Sequence, residues 1–394
     1  MNRIYRLVWS RTHGMLIAVA ETSSSRSKAG TARQGRPRKV AFAVALALGM
    51  VSPLALGHSM VDQIGPDQAR KGRDGQLVAL VPPPVAGQNM AGPTQSGQSG
   101  TNPIGQPLPV GGQVVAGVVR LSQSGDTLTI QQATRSAILN WQSFDISAGY
   151  TVDFVQPDAG SVALNRVLGG NPSDIFGQLH ANGQVFLVNA AGVYFAPGAE
   201  VNVGGLVAST LGISNADFLS GNYHFSGNSG ATIRNGGTIT SVPRGYVAFI
   251  GNHVDNTGKI ITPGGTTALG AGAGVDITLA NSQLVNFRVS ADALNALAAN
   301  GGLIQADGGR VILSAQARSA LLQSVVNNTG VVRTQTVAIH EGVIELLGGN
   351  SGTVEVAGTL DASAPAGGNG GQIETSGAHV KVADGTFITT TSST

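Results

Sequence analysis

Side chains able to do chemistry are few in this chain and far apart. Five downstream histidines (His180, His224, His253, His340 and His379) are scattered, with no HxH or HExxH spacing. Metal ions need donors clustered at ligand spacing. The nearest approach to a glycine-rich calcium repeat, Gly270-Ala-Gly-Ala-Gly-Val-Asp276, occurs once and is not repeated. Asp145, Asp153 and Asp158 form a lone acid cluster. Glycoside cleavage needs a carboxyl pair at a set separation across a bond, and few basic or acidic residues are present to support such a pair. A GxSxG elbow, a P-loop and a dinucleotide-binding glycine pattern after a strand are all missing, and with no Cys there are no disulfides or thiolate sites. The reading is therefore non-enzymatic, with no metal and no cofactor.

The elements that carry these residues are unusual in composition. The 394 residues include 57 Gly, with 11% charged and 5% aromatic residues, about twice the glycine and half the charge of an ordinary globular domain. Enough Val, Ile, Leu and Ala remain to bury a long core. The formal charge of +2 conceals an asymmetry: nine of the 23 Lys and Arg, but one of the 21 acids, lie within residues 1–39. The body after Lys39 is acidic by six charges, which does not suit nucleic-acid binding.

Residues 1–57 read as an export leader. Arg36-Pro-Arg-Lys39 precedes the uncharged apolar run Val40–Leu56, and Ala55-Leu-Gly57 supplies small residues for cleavage between Gly57 and His58. Gly49, Pro53 and the short length argue against a membrane-spanning helix. Residues 58–112, rich in Pro, Gly, Gln and Ser, read as a linker.

From Val114 the texture becomes short apolar runs between Gly- and Asn-rich turns. Gln184–Thr210 is the densest case: Val185–Val188, Val193–Phe195 and Val201–Val207 are too short for helices and are bounded by Asn189, Gly192, Pro197 and Gly198. Strands this short, turning a corner every few residues, are satisfied when each lap stacks on the last. An imperfect repeat supports this: Ile239, Ile260, Ile304, Val332 and Leu360 each follow a polar turn and a Gly. The repeated Asn and Gly are expected to supply left-handed backbone at corners. Trp141 and Phe144 are expected to cap the end of the solenoid, the alternative being a carbohydrate-stacking platform. Ser290–Gly302 carries helix signals (a Ser N-cap, Leu294, Leu297 and a terminal Asn-Gly-Gly), and 315–326 is a weaker helical candidate. The C-terminus, Gly367 onward, still has solenoid texture and no evident cap, as in a fragment of a longer chain or a short member of its class.

Two stretches carry a family likeness. The leader, through Asn2, Tyr5, Val8, Trp9, Gly14, Val19, Ala20 and Glu21, resembles the extended signal peptides of very large secreted Gram-negative proteins. Asn140-WQSFDISAG, Val162-ALNRVLGGNPSDIFGQLHANGQVFLVNAAGVYF and Gly204-GLVAST resemble the N-terminal secretion domain of two-partner-secretion exoproteins, the filamentous-haemagglutinin family and its high-molecular-weight adhesin branch. The family's Asn-Pro-Asn-Gly-Ile stands here as Asn189-Ala-Ala-Gly192-Val193, and its Asn-Pro-Asn-Leu motif is not recognisable, although Asn171-Pro-Ser-Asp lies nearby. The resemblance implies an all-β, right-handed parallel β-helix with small extra-helical strands and one or two short helices. With the leader (1–57), the linker (58–112) and the helix signals read above, the chain divides further into a secretion domain over 113–285 and continuing repeats over 286–394 with a helical excursion near 290–300. The resemblance further implies Sec export, signal peptidase, and recognition by the POTRA domains of an outer-membrane TpsB-type pore, with Asn165, Asn189 and Gly192 as recognition residues or, equally, as shapers of corners. A secreted adhesin with a host-cell receptor or glycan as its ligand follows. The alternatives are a haem-acquisition or contact-dependent inhibition exoprotein, or a β-helical polysaccharide-degrading enzyme.

Overall fold

The computed structural model describes residues 5–10, 15–20, 106–318 and 324–393. The proposed cleavage point at Gly57 and His58 and nearly all of the linker lie outside the described residues. Within the leader, Tyr5–Ser10 pairs antiparallel with Met15–Ala20.

The body is a parallel β-helix whose laps each contribute a strand to three ladders. Residues 184–209 show one circuit. Gln184–Val188 belongs to one ladder, Val193–Phe195 to a second and the first half of Glu200–Ser209 to a third, while the second half of that strand pairs with Gln184–Val188 as the next rung. The bend inside Glu200–Ser209 falls between Val203 and Gly205. A Cβ on Gly204 would lie 2.5 Å from the carbonyl oxygen of Gly183, and one on Gly205 2.5 Å from the ring of Tyr246. Glycine is required at the bend by close approach.

The repeat markers form one inward column. Leu128, Val152, Leu179, Val201, Ile239, Ile260, Ile304, Val332, Leu360 and Ile388 face one another in successive laps. Each fully buried member contributes about 1.5–3 kcal/mol against the entropy of ordering its lap. No lap could bury this column alone, so stacking supplies the stability.

One ladder is apolar on its outer side too. Ile138, Leu164, Phe186, Val207, Ala248, Ala268 and Ile312 form an outward column, which then changes to Glu345 and Glu374. The apolar part is covered by the helix Asn215–Ser220, through Phe218, and by the antiparallel strands Tyr223–Ser226, Gly274–Ala280 and Gln283–Ala291, through Phe225, Ile277 and Phe287. Strands covered on both faces read as continuous apolar runs.

Three expectations are corrected. Residues 290–300 hold no helix. Gln283–Ala291 is a strand of the covering sheet, and Leu297–Asn300 is a rung between His253–Asn256 and Ser324–Asn328. Its Ala and Leu favour helix locally, but pairing on both edges and burial of Ala298 override a preference of only tenths of a kcal/mol per residue. The described part of 315–326 is likewise extended, ending one strand at Ala315 and opening another at Ser324. The helix that does form, Asn215–Ser220, has a sequence signal: Ser214 caps the backbone N–H of Asp217, and Gly221, at φ 76°, ends the turn.

The third correction concerns the repeat corners. Asn235, Asn256, Asn300 and Asn328 are not left-handed, nor are Gly258, Gly302, Gly330 and Gly358. All four Asn side chains point inward, and each of the first three donates through Nδ2 to the Oδ1 of the next, at 2.8 Å for 235 to 256, 256 to 300 and 300 to 328. The glycines are required because a Cβ on Gly258, Gly302, Gly330 or Gly358 would lie 2.0–2.2 Å from the carbonyl oxygen of the glycine one lap earlier.

Candidate functional site

Asn165, Asn189 and Gly192 occupy two different environments. Asn165 is in mid-strand, in Val162–Val167, opposite Leu139 and Leu187 in the neighbouring laps. It is fully buried, accepts a 3.0 Å hydrogen bond from the indole Nε1 of Trp141, and donates to the carbonyl oxygens of Ala163 and Phe186. Trp141 in turn meets Phe144 edge-on at 5.5 Å. Both rings are buried, which rules out a stacking platform there. Asn165 is therefore not a corner residue but a buried polar anchor holding the largest ring of the first laps.

Asn189 and Gly192 do form a corner. The Gly192 N–H donates to the Asn189 carbonyl at 3.0 Å, and Gly192 has φ +117°, a conformation that disfavours a side chain. The Asn189 Oδ1 accepts from the Ala191 N–H at 2.9 Å, closing an Asx turn. Its Nδ2 donates to the Asn171 carbonyl and to Ser173 Oγ, each at 3.0 Å. From the following lap, Ser229 Oγ donates to the Ala190 carbonyl at 2.6 Å. Three laps are stitched at this point, so the Asn171-Pro-Ser-Asp turn and the Asn189–Gly192 turn, separate in sequence, act together. Asn171, Ser173 and Ser229 are partners that the sequence reading did not assign; the Asn-Pro-Ser signature was the available signal for the first two.

Beside this clasp lies a groove of about 450 Å³ lined by Asp174, Tyr194, Thr232 and Arg234, with Ala191 and Gly192 among its other residues. Burial, then the neighbouring Asp145, pushes the Asp174 carboxyl up from its ordinary value. Asp145 itself accepts from the Asp174 N–H at 3.0 Å.

The three acids of the sequence cluster have separate partners. Asp145 serves Asp174. Asp153 lies in a strand opposite Thr129 and His180. Asp158 bonds Ser161 and Arg135, and the Ser161 hydroxyl followed by the Arg135 guanidinium holds its carboxyl below the usual range. Among the described residues no three His, Cys, Asp or Glu side chains are grouped to hold a metal, and no helix is long and apolar enough to cross a membrane.

Comparison with known proteins places this geometry. Residues 105–375 match the model of the TPS secretion domain, and residues 1–50 match the Extended Signal Peptide of Type V secretion system. A Heme/hemopexin-binding protein of Haemophilus influenzae is 36% identical over 206 residues, 50% of this chain and 22% of the relative. A second protein of that description from the same species is 46% identical over 100 residues, 25% of this chain and 11% of the relative. The chain thus spans less than a quarter of the length of either relative. The crystal structure of the HMW1 secretion domain from Haemophilus influenzae is similar with a TM-score of 0.62 and 29% identity, over 71% of this chain and 73% of that one. Leader and secretion domain together make this a secreted protein, exported across the outer membrane of a Gram-negative bacterium. A β-helix of stacked short laps, an export leader, and a family match running from residue 105 to residue 375 converge on one conclusion: the chain belongs to the TPS secretion domain family.

Proposed function

We propose that the β-helix is the export-directing part of an adhesin-type exoprotein, non-enzymatic, that leaves the cell through a dedicated pore. The leader, 1–57, takes the chain through Sec and is removed between Gly57 and His58. The linker, 58–112, frees the solenoid. Residues 113–285 carry the segments read by the POTRA domains of an outer-membrane TpsB-type pore, and residues 286–394 add laps. A host-cell receptor or glycan is the ligand of the displayed protein. The observation that carries this reading is the burial of Asn189 inside the three-lap clasp. A pore that recognises this side chain must do so before the laps close, and closing them outside the cell then opposes return.

Export is measured as chain in the medium, in cells with and without the pore. Losing the pore should abolish it; unchanged export would sink the proposal. Asn189→Ala should cut export about tenfold while lowering stability by about 2–3 kcal/mol, from the buried partners it leaves. Asn328→Ala, as fully buried but remote in sequence from the clasp, should cost similar stability with near-normal export. Equal export loss in both variants would reduce Asn189 to a structural role.

The similarity to Heme/hemopexin-binding proteins favours haem acquisition as a second reading. Haem titration of the exported chain separates the two: a saturable Soret shift supports haem acquisition, and its absence supports adhesion.

A further inference from the structure

The groove beside the clasp has the chemistry of a sugar site. Asp174, Tyr194, Arg234 and Asp255 occupy one outward column, one residue per lap, at the strand spacing of about 4.8 Å. Tyr194 lines the groove and meets Phe176 edge-on with centroids 6.2 Å apart, while Phe176, outside the groove lining, is 46% exposed. Among the described residues the Tyr194 hydroxyl and the Asp174 carboxylate have no hydrogen-bond partner. Arg234 uses only Nε, donating to Asp255 at 3.1 Å, and its two terminal nitrogens remain available.

From this combination we propose that the groove binds a neutral oligosaccharide of pyranose units. A pyranose has an apolar C–H face for the Tyr194 ring and hydroxyls that donate to Asp174 and accept from Arg234. The Asp174 carboxylate, beside the like charge of Asp145 and with no donor of its own, gains from hydroxyl donors. An anionic glycan would meet Asp174, and Asp255 already balances Arg234. An extended peptide has nothing to pair with here, because Val193–Phe195 is hydrogen-bonded to laps on both sides. Since Asp174, Tyr194 and Arg234 come from three laps, the site exists only after folding. It therefore rests on the reading that the folded laps are displayed outside the cell.

The test uses the full exported chain on an array of neutral and sialylated oligosaccharides, followed by calorimetric titration of the best neutral ligand. Tyr194→Ala and Asp174→Asn should each weaken binding by about tenfold or more, with thermal unfolding unchanged. The near-isosteric Asp174→Asn keeps the test decisive if Tyr194→Ala disturbs its lap. Silence on neutral glycans, binding confined to sialylated ones, or binding untouched by both substitutions would overturn the proposal. Export is scored separately as chain in the medium. A chain that stays in the cell fails the export reading, and its purified form still reports on the sugar site.

Discussion

Gly302→Ala is expected to lower stability by about 3 kcal/mol or more, whereas Gly301→Ala, one residue away, should change it by less than about 0.5 kcal/mol. A Cβ on Gly302 would lie 2.1 Å from the Gly258 carbonyl oxygen and 2.7 Å from the Thr257 carbonyl carbon, both backbone atoms. Neither can retreat easily: the Leu303 N–H donates to the Gly258 carbonyl, and the Gly302 carbonyl accepts the Val331 N–H of the next lap. On Gly301 the same atom would meet Thr329 Oγ1 at 3.5 Å and the Asn256 carbonyl at 4.0 Å, ordinary contacts. Because a solenoid is held by nearest-neighbour interfaces, the damage should be local. Hydrogen exchange should accelerate in the laps on either side of Gly302 and much less in those around Asn189. Equal thermal unfolding of the two variants would refute the account.

The second large effect is expected at Asn256, in the middle of the internal amide ladder. Its Oδ1 accepts from Asn235 and its Nδ2 donates to Asn300, each at 2.8 Å. Asn256→Ala leaves the buried Asn300 Oδ1 without its partner and reduces the Asn235 Nδ2 to its longer 3.3 Å bonds to the Gly237 and Lys259 carbonyls, at about 1–3 kcal/mol each. The expected loss is about 4 kcal/mol. Asn328 ends the ladder, since the residue opposite it in the next lap is Val356. Asn328→Ala therefore removes only one ladder bond, that from the Asn300 amide, and should cost about half as much. Denaturant unfolding of both variants checks this, and a terminal loss as large as the central one would show that the amides do not act as a chain.

Much of the architecture was legible because its signals are local and repeated. Short apolar runs between Gly and Asn, and the markers Ile239, Ile260, Ile304, Val332 and Leu360, specify laps, and in the structure those markers share one column. Residues 297–300 form a rung rather than a helix because Ala-Leu texture is neutral between a helix and a rung whose edges are both paired, and sequence does not display the neighbouring lap. The helix Asn215–Ser220 carries its signal in the sequence, a Ser cap and a terminal Gly, but is too short for apolar periodicity to mark it.

The residues suspected of recognition were legible as turn chemistry at Asn189 and Gly192, but the rest of their site was not. Asn171 and Ser173 lie 18 and 16 residues from Asn189 in sequence, and only lap closure brings them within 3.0 Å. The same holds for Trp141, whose partner Asn165 is 24 residues away. By itself, the sequence determined that this chain is exported, that it coils in short laps, and which residue types recur at each corner. Only the tertiary structure decided what those residues do: which of two adjacent glycines meets backbone, which asparagines link into a ladder, and which aromatic rings face solvent. Each of those outcomes depends on the stacking of one lap on another, at distances of a few ångströms between residues that the sequence keeps 20 to 44 positions apart.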